Sequence, residues 1–293
     1  MTARTARPRR SVLYMPGSNT RALEKGKTLP ADGLILDLED AVAPDQKEAA
    51  RNNVCEAVKA GGYGMRELLI RVNSLQTHWG YDDIVAAAQS GADGIVLPKA
   101  ESADIIRICE NILVENGAPD SMGIWCMIET PRGVLSAERM AMSSQRLAGF
   151  VMGTSDLAKD VYAAHTQDRL PMLYSLTHCL LVARAYGIAI LDGVHLDLAD
   201  DEGFLQSCQQ GLDLGFDGKT LIHPKTIDGA NEIFAPSEDE IVWSKRIIKA
   251  FADAQKEGQG VVVVEGKLVE VLHVEDAKRT VALFEAIERM KES

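Results

Sequence analysis

Leu68-Leu69-Ile70-Arg71-Val72-Asn73 is a short, nearly continuous apolar run that stops on a charged and a polar residue. Strands of a parallel sheet are buried on both faces, so their sequences lack the polar-apolar alternation of a half-exposed strand. The same form recurs at residues 11–15 and 33–36 upstream, and at 94–97, 123–128, 148–152, 188–191 and 220–222 downstream. Between these runs lie segments of helical spacing, among them 49–59, 84–90, 103–114, 173–186 and 204–214. Eight strands, each followed by a helix, predict an α/β fold of the TIM (β/α)8 barrel type. An open doubly wound sheet is the competing arrangement. It usually has fewer strands and a Gly-x-Gly-x-x-Gly fingerprint in its first βα turn, and that motif does not occur here.

Beyond the eighth unit, a helix is expected at 238–256. Two β-rich runs, 261–264 and 267–271, then flank Glu265-Gly266, the signature of a hairpin turn, and a last helix is expected at 275–290. The organisation expected is a barrel domain over 9–257 and a C-terminal β-hairpin and helix extension over 258–293. The extension is too small to be stable alone, so it reads as a lid that packs on the barrel or on a neighbouring subunit. The first eight or so residues read as a disordered tail.

Composition narrows the function. Hydrophobic residues make up 46% of the 293 and charged residues 25%, as in a globular protein with a full core. The net charge of −12 argues against nucleic acid as a partner, which would need a basic face. No apolar run reaches the roughly 18 residues of a membrane span. The basic segment 1–10 is not followed by an apolar stretch long enough for a secretory signal. Five cysteines (Cys55, Cys109, Cys126, Cys179, Cys208) without paired spacing point to a reducing, cytoplasmic setting, most of them as buried thiols.

Active sites of (β/α)8 barrels lie at the C-terminal ends of the strands. Each apolar run here ends in polar, charged or Gly/Pro residues: Asp37-Leu38-Glu39-Asp40, Arg71-Val72-Asn73, Pro98-Lys99, Glu129-Thr130, Gly153-Thr154-Ser155-Asp156, Asp192-Gly193 and His223-Pro224-Lys225, with Pro16-Gly17-Ser18-Asn19 after the first. Glu129 and Asp156 are hard oxygen ligands on adjacent strands and suit Mg²⁺, with Mn²⁺ also possible. They read equally well as a solvated loop acid and a helix cap. The His spacing does not suit zinc. Arg71 ends an otherwise apolar strand and needs a partner, Asp37 or Glu39; it can also donate to a substrate carbonyl or carboxylate oxygen. Pro16-Gly17-Ser18 with Arg9, Arg10, Lys25 and Lys27 could form an anion site, or be an ordinary capped turn. In the acidic cluster, Asp40 or a neighbour could equally cap the next helix.

Several of these pieces resemble the citrate lyase β-subunit and malyl-CoA lyase group within the HpcH/HpaI aldolase family. The resemblance runs from about Arg10 to the end. It is carried by Arg10 to Ser18, Leu36-Asp37-Leu38-Glu39-Asp40-Ala41-Val42, Arg71-Val72-Asn73, Leu97-Pro98-Lys99, Ile128-Glu129-Thr130, Gly153-Thr154-Ser155-Asp156-Leu157, and Gly215-Phe216-Asp217-Gly218-Lys219 with Ile222-His223-Pro224. It implies a barrel in trimers or hexamers, Mg²⁺ on Glu129 and Asp156, and a small-molecule CoA thioester as substrate. It implies that Arg71 contacts oxygens near the thioester, that Arg10 and Lys99 face the CoA side, and that Ser155, Ile222 and His223 line the pocket. The C-terminal extension resembles the family's lid over an adjacent subunit's site. Lyases of this group carry Asp in a lid segment like Gly-Lys-Met-Ile-Asp, where this chain has Gly266-Lys267-Leu268-Val269-Glu270. The segment Glu270-Val271-Leu272-His273 resembles the (3S)-malyl-CoA thioesterase branch. The activity expected is therefore hydrolysis, with Glu270 as general base and Asp37 and Glu39 supporting Arg71. C–C cleavage of malyl-, methylmalyl- or citramalyl-CoA is the alternative, and a carrier-dependent citrate lyase β-like subunit is an alternative of another class.

Overall fold

Successive side chains of a strand point to opposite faces, and here the two faces fill different spaces. The structure is a computed structural model that describes residues 7–292; most of the tail expected at the N-terminus lies outside the described residues. Eight parallel strands follow one another in chain order: β1 (Ser11–Pro16), β2 (Gly33–Asp37), β3 (Glu67–Arg71), β4 (Gly94–Leu97), β5 (Gly123–Ile128), β6 (Leu147–Met152), β7 (Ala189–Asp192) and β8 (Gly218–Leu221). β8 pairs back onto β1 and closes the barrel. Every strand lies within two residues of its expected position.

Val12, Ile35, Leu69, Val96, Trp125, Met127, Val151 and Leu191 form one buried cluster, the barrel interior. Their chain neighbours Leu13, Leu34, Ile70, Ile95, Cys126, Phe150 and Ile190 belong to the larger cluster between strands and helices. Each strand therefore buries both faces, which is why its sequence is nearly all apolar.

The helices start where local chemistry satisfies their free N–H groups. Asn19 caps α1 (Thr20–Gly26), its side chain accepting from the Ala22 N–H at 3.0 Å. Thr130, followed by a proline, caps α5 (Pro131–Ala141) by accepting from the Gly133 N–H at 3.0 Å. Asp200 caps α8 (Asp201–Leu214), which ends on left-handed Gly215. Four of the five cysteines are buried, and burial pushes their thiols up, to about 12 for Cys109, Cys179 and Cys208. They fill space. Among the described residues no helix is long and apolar enough to cross a membrane.

One charged group is built into the barrel wall. Asp192 and Lys219 are register neighbours on β7 and β8, both fully buried, and their side chains meet at 2.8 Å. Arg169 adds contacts of 2.7 Å to both Asp192 oxygens. Burial alone would raise the Asp192 carboxyl, but Lys219 and Arg169 hold it below the ordinary carboxylate range. Removing one partner of a buried pair exposes the cost of the remaining charge. Lys219→Met is expected to lower unfolding free energy by about 3 kcal/mol, measured by urea denaturation at pH 7. A loss under about 1 kcal/mol would mean that Arg169 alone neutralises Asp192.

The chain divides into two compact units, Arg9–Phe234 and one that contains Ala235–Ser293. In the second, α10 (Glu238–Lys256) opens with a reciprocal cap between Ser237 and Glu240. The hairpin β9 (Val262–Val264) and β10 (Lys267–Val269) follows, and then α11 (Val271–Lys291). Glu265 and Gly266 turn the hairpin with φ of 49° and 77°, as a two-residue turn with both residues left-handed requires. Ile247, Phe251, Val264, Val269, Val274 and Ala277 form the unit's own core. The last helix begins four residues before the expected 275, because the strand stops at Val269 and Glu270 stands at the helix N-cap.

Candidate active site

The same alternation that fills the barrel places charges at its mouth. Two residues past inward Ile35 comes Asp37, two past Leu69 comes Arg71, and two past Met127 comes Glu129. All three are less than a tenth exposed. Asp37 and Arg71 are register partners on β2 and β3. Arg71 Nε and Nη2 donate to the two Asp37 oxygens at 2.6 Å each, and Nη1 meets Glu39 Oε2 at 3.0 Å. Both carboxylates expected as alternatives thus pair with it. The guanidinium lies over the Tyr14 ring, 5.0 Å from its centroid. Burial opposes its charge, but Asp37 and Glu39 raise it above its ordinary value. A guanidinium has five N–H donors; Asp37 takes two and Glu39 one, and Met127 sulfur stands 3.7 Å from Nη1.

Glu129 is held by a strained neighbour. Lys99 adopts φ 48°, in the left-handed region that a side chain disfavours, and from there its N–H donates to Glu129 Oε1 at 2.7 Å. On the other side Glu129 packs against Gly153. A Cβ at that position would stand 2.7 Å from Glu129 Oε2. Burial pushes the Glu129 carboxyl up to about 7, and Glu39 and Asp156 push the same way against the Lys99 N–H and Arg71. Asp156 sits in the first turn of α6 (Thr154–Asp160), whose N-cap is Gly153, so it is not the cap itself.

Arg71, Glu129, Ser155, Asp156 and Ile222 line one cavity of about 360 Å³, together with Asp37 and Asp40. Glu39 reaches it through Arg71. Lys99 stands at its edge with a half-exposed ammonium 3.9 Å from Glu39; burial lowers its basicity, but Glu39, Glu129 and Asp156 raise it further, so it stays cationic. His223 follows Ile222 and accepts the Lys225 N–H on its ring nitrogen at 3.1 Å. Glu270 lies in the other unit, with its N–H donating to His273 Nδ1 at 3.0 Å.

Arg10 is not brought to this rim. It precedes β1, at the opposite end of the barrel, and its guanidinium and backbone N–H are committed to Asp32 at 2.8 Å. Arg9 is likewise paired with Glu67, before the end of the same barrel face, and Lys27 with Glu24. The expected anion cluster around Pro16-Gly17-Ser18 is therefore not assembled, and that turn is the ordinary one capped by Asn19. Nor does Asp40 cap a helix: the next begins after Ala43, and Asp40 stands largely exposed, 4.0 Å from Arg71. Four cavity residues were missed in the sequence: Tyr14, Thr154, Val194 and Thr220. Tyr14 had a signal, since it lies two residues past inward Val12. Val194 had none beyond its place on a loop.

The donor set fits a hard divalent cation. Glu129 is buried beside two further acids, and a cation there supplies the positive charge that lets it ionise. Among the described residues no group of three or more His, Cys, Asp or Glu is gathered for a metal. Mg²⁺ needs only one or two carboxylates, because it keeps several waters.

Known proteins share this arrangement. A (3S)-malyl-CoA thioesterase of Cereibacter sphaeroides is 47% identical over 285 residues, 97% of this chain and 98% of that protein. The citrate lyase subunit beta of Escherichia coli is 36% identical over 272 residues, 91% of this chain and 90% of that one. Among solved structures, CitE of Mycobacterium tuberculosis in complex with magnesium, acetoacetate and coenzyme A superposes with a TM-score of 0.74 at 27% identity, over 94% of this chain and 97% of that one. Residues 10–224 match the family described as HpcH/HpaI aldolase/citrate lyase, and on both its sequence and its barrel the chain belongs to that family.

Proposed function

We propose that this protein is a Mg²⁺-dependent thioesterase that hydrolyses (3S)-malyl-CoA to malate and CoA. One observation carries the reading: Arg71 and the Glu129–Asp156 carboxylates share a single cavity, in a chain that matches a (3S)-malyl-CoA thioesterase from end to end. Glu129 and Asp156 would hold Mg²⁺, which when bound supplies Lewis acidity toward the hydroxycarboxylate end of the acyl group. Arg71, fixed by Asp37 and Glu39, donates to the thioester carbonyl oxygen and stabilises the negative charge that develops there. Glu270 takes a proton from the attacking water, in its own subunit or in a neighbour of a homotrimer or homohexamer. Lys99 offers its ammonium to the CoA phosphates, and Ile222, His223 and Ser155 border the bound chain.

The test follows thiol and glyoxylate together in one tube with (3S)-malyl-CoA and Mg²⁺. Thiol without glyoxylate, abolished by a chelator, is the expected result. Glyoxylate with intact acetyl-CoA makes the protein a C–C lyase instead. Turnover only on a thioester borne by a carrier protein makes it a citrate lyase β-like subunit.

Gly153→Ala tests the packing behind Glu129. The added methyl must displace the carboxylate. A misplacement of about 1 Å can cost about a hundredfold in rate. A kcat loss of that order with an unchanged melting temperature is expected, and a wild-type rate would show that Glu129 can move without consequence.

A further inference from the structure

A second cavity, of about 440 Å³, opens beside the first and shares Thr154, Ser155 and Val194 with it. Among the described residues, two buried side-chain polar atoms have no hydrogen-bond partner in the protein: Ser155 Oγ and His195 Nε2. Both residues line this cavity. Leaving such an atom unpaired costs about 1–3 kcal/mol, so the arrangement is sensible only if something polar occupies the space. The His195 ring is fixed edge-on against Phe204, 6.1 Å between centroids. Asp200 Oδ2 stands 3.8 Å from Nε2, too far for a direct hydrogen bond and suited to a bridging water. Arg169, the guanidinium in this wall, is engaged by both oxygens of Asp192. The occupant therefore needs hydrogen-bonding capacity and no charge, which is the chemistry of water.

We propose that this cavity delivers the hydrolytic water, held by Ser155 Oγ and His195 Nε2 and passed into the reactive cavity along the shared wall. The inference rests on the thioesterase reading and deepens it. The water oxygen bonds to the thioester carbonyl carbon as Glu270 takes one of its protons. The C–S bond then breaks and the sulfur leaves as the thiol of CoA, so that one water is consumed per malate formed. C–C cleavage needs no water, so the filled cavity favours hydrolysis over it.

Steady-state thiol release and glyoxylate are measured for wild type, His195→Phe, His195→Gln, Ser155→Ala and the Ser155→Ala/His195→Phe double variant, each with a thermal melt. Loss of one such hydrogen bond corresponds to about a tenfold change. His195→Phe and Ser155→Ala are expected to lower kcat by about that factor, and His195→Phe leaves KM for (3S)-malyl-CoA unchanged. His195→Gln, whose amide still holds water, is expected to keep a kcat within about threefold of wild type. The double variant should fall no further than the worse single one, because both side chains act on the same water. A wild-type kcat in His195→Phe overturns the water path, as does an equal loss in His195→Gln or a parallel rise in KM. A wild-type protein that releases no thiol overturns the thioesterase reading itself.

Discussion

Glu129→Gln is expected to lower kcat/KM for (3S)-malyl-CoA about a thousandfold, roughly 4 kcal/mol, the scale of metal-assisted charge stabilisation. The substitution is close to isosteric. The amide oxygen can still accept the Lys99 N–H, so the β4 and β5 ends should keep their places. What changes is charge. The wild-type carboxyl, pushed up by burial and by Glu39 and Asp156, is ionised at neutral pH most readily when a cation faces it. The neutral amide offers a weaker ligand and removes that coupling. The loss should therefore come with a rise in the Mg²⁺ concentration for half-maximal activity, and isothermal titration with Mg²⁺ alone should show the same weakening. An unchanged Mg²⁺ dependence in the variant would remove Glu129 from the metal site.

Arg71→Lys is expected to cost about 10²–10³-fold in kcat, the usual price of one oxyanion donor. Lysine keeps the charge but loses the planar fork. It cannot span both Asp37 oxygens and Glu39 while still presenting a donor to the cavity. Arg71→Met should lose stability as well, about 3 kcal/mol or more, because Asp37 and Glu39 would be left buried without their cation. Comparing the two variants separates catalysis from folding: the lysine variant should melt near wild type and turn over poorly. A lysine variant within threefold of wild type in kcat would show that Arg71 serves the fold alone.

Both residues were legible in the sequence for the same reason. An apolar strand that ends on a single charge, in a barrel whose sites lie at strand C-termini, marks that charge as a rim residue, and period-two alternation then points Asp37, Arg71 and Glu129 inward together. Whether Arg71 would choose Asp37 or Glu39 was not legible, since the choice depends on register and loop shape; it takes both. Arg10 was misplaced because closeness to a strand in sequence does not say which end of the barrel it occupies. It lies before β1, and in a parallel barrel that is the far end. His195 stayed invisible because it carries no motif; only the packing around β6 and β7 leaves its nitrogen without a partner. The cap that starts α11 at Val271 was hidden by the β-branched run leading into it.

The charged residues of the mouth end strands that are paired on both sides, whereas Val194 and Ile222 stand just beyond β7 and β8, on loops. A single methyl group on an acyl chain is worth about 1–3 kcal/mol in an apolar pocket. Exchanges at these two positions can therefore change which homologous acyl chain is preferred by tenfold or more while the groups that polarise the thioester stay where they are. Substrate choice and reaction type are written in separate parts of this barrel, and one can drift without disturbing the other.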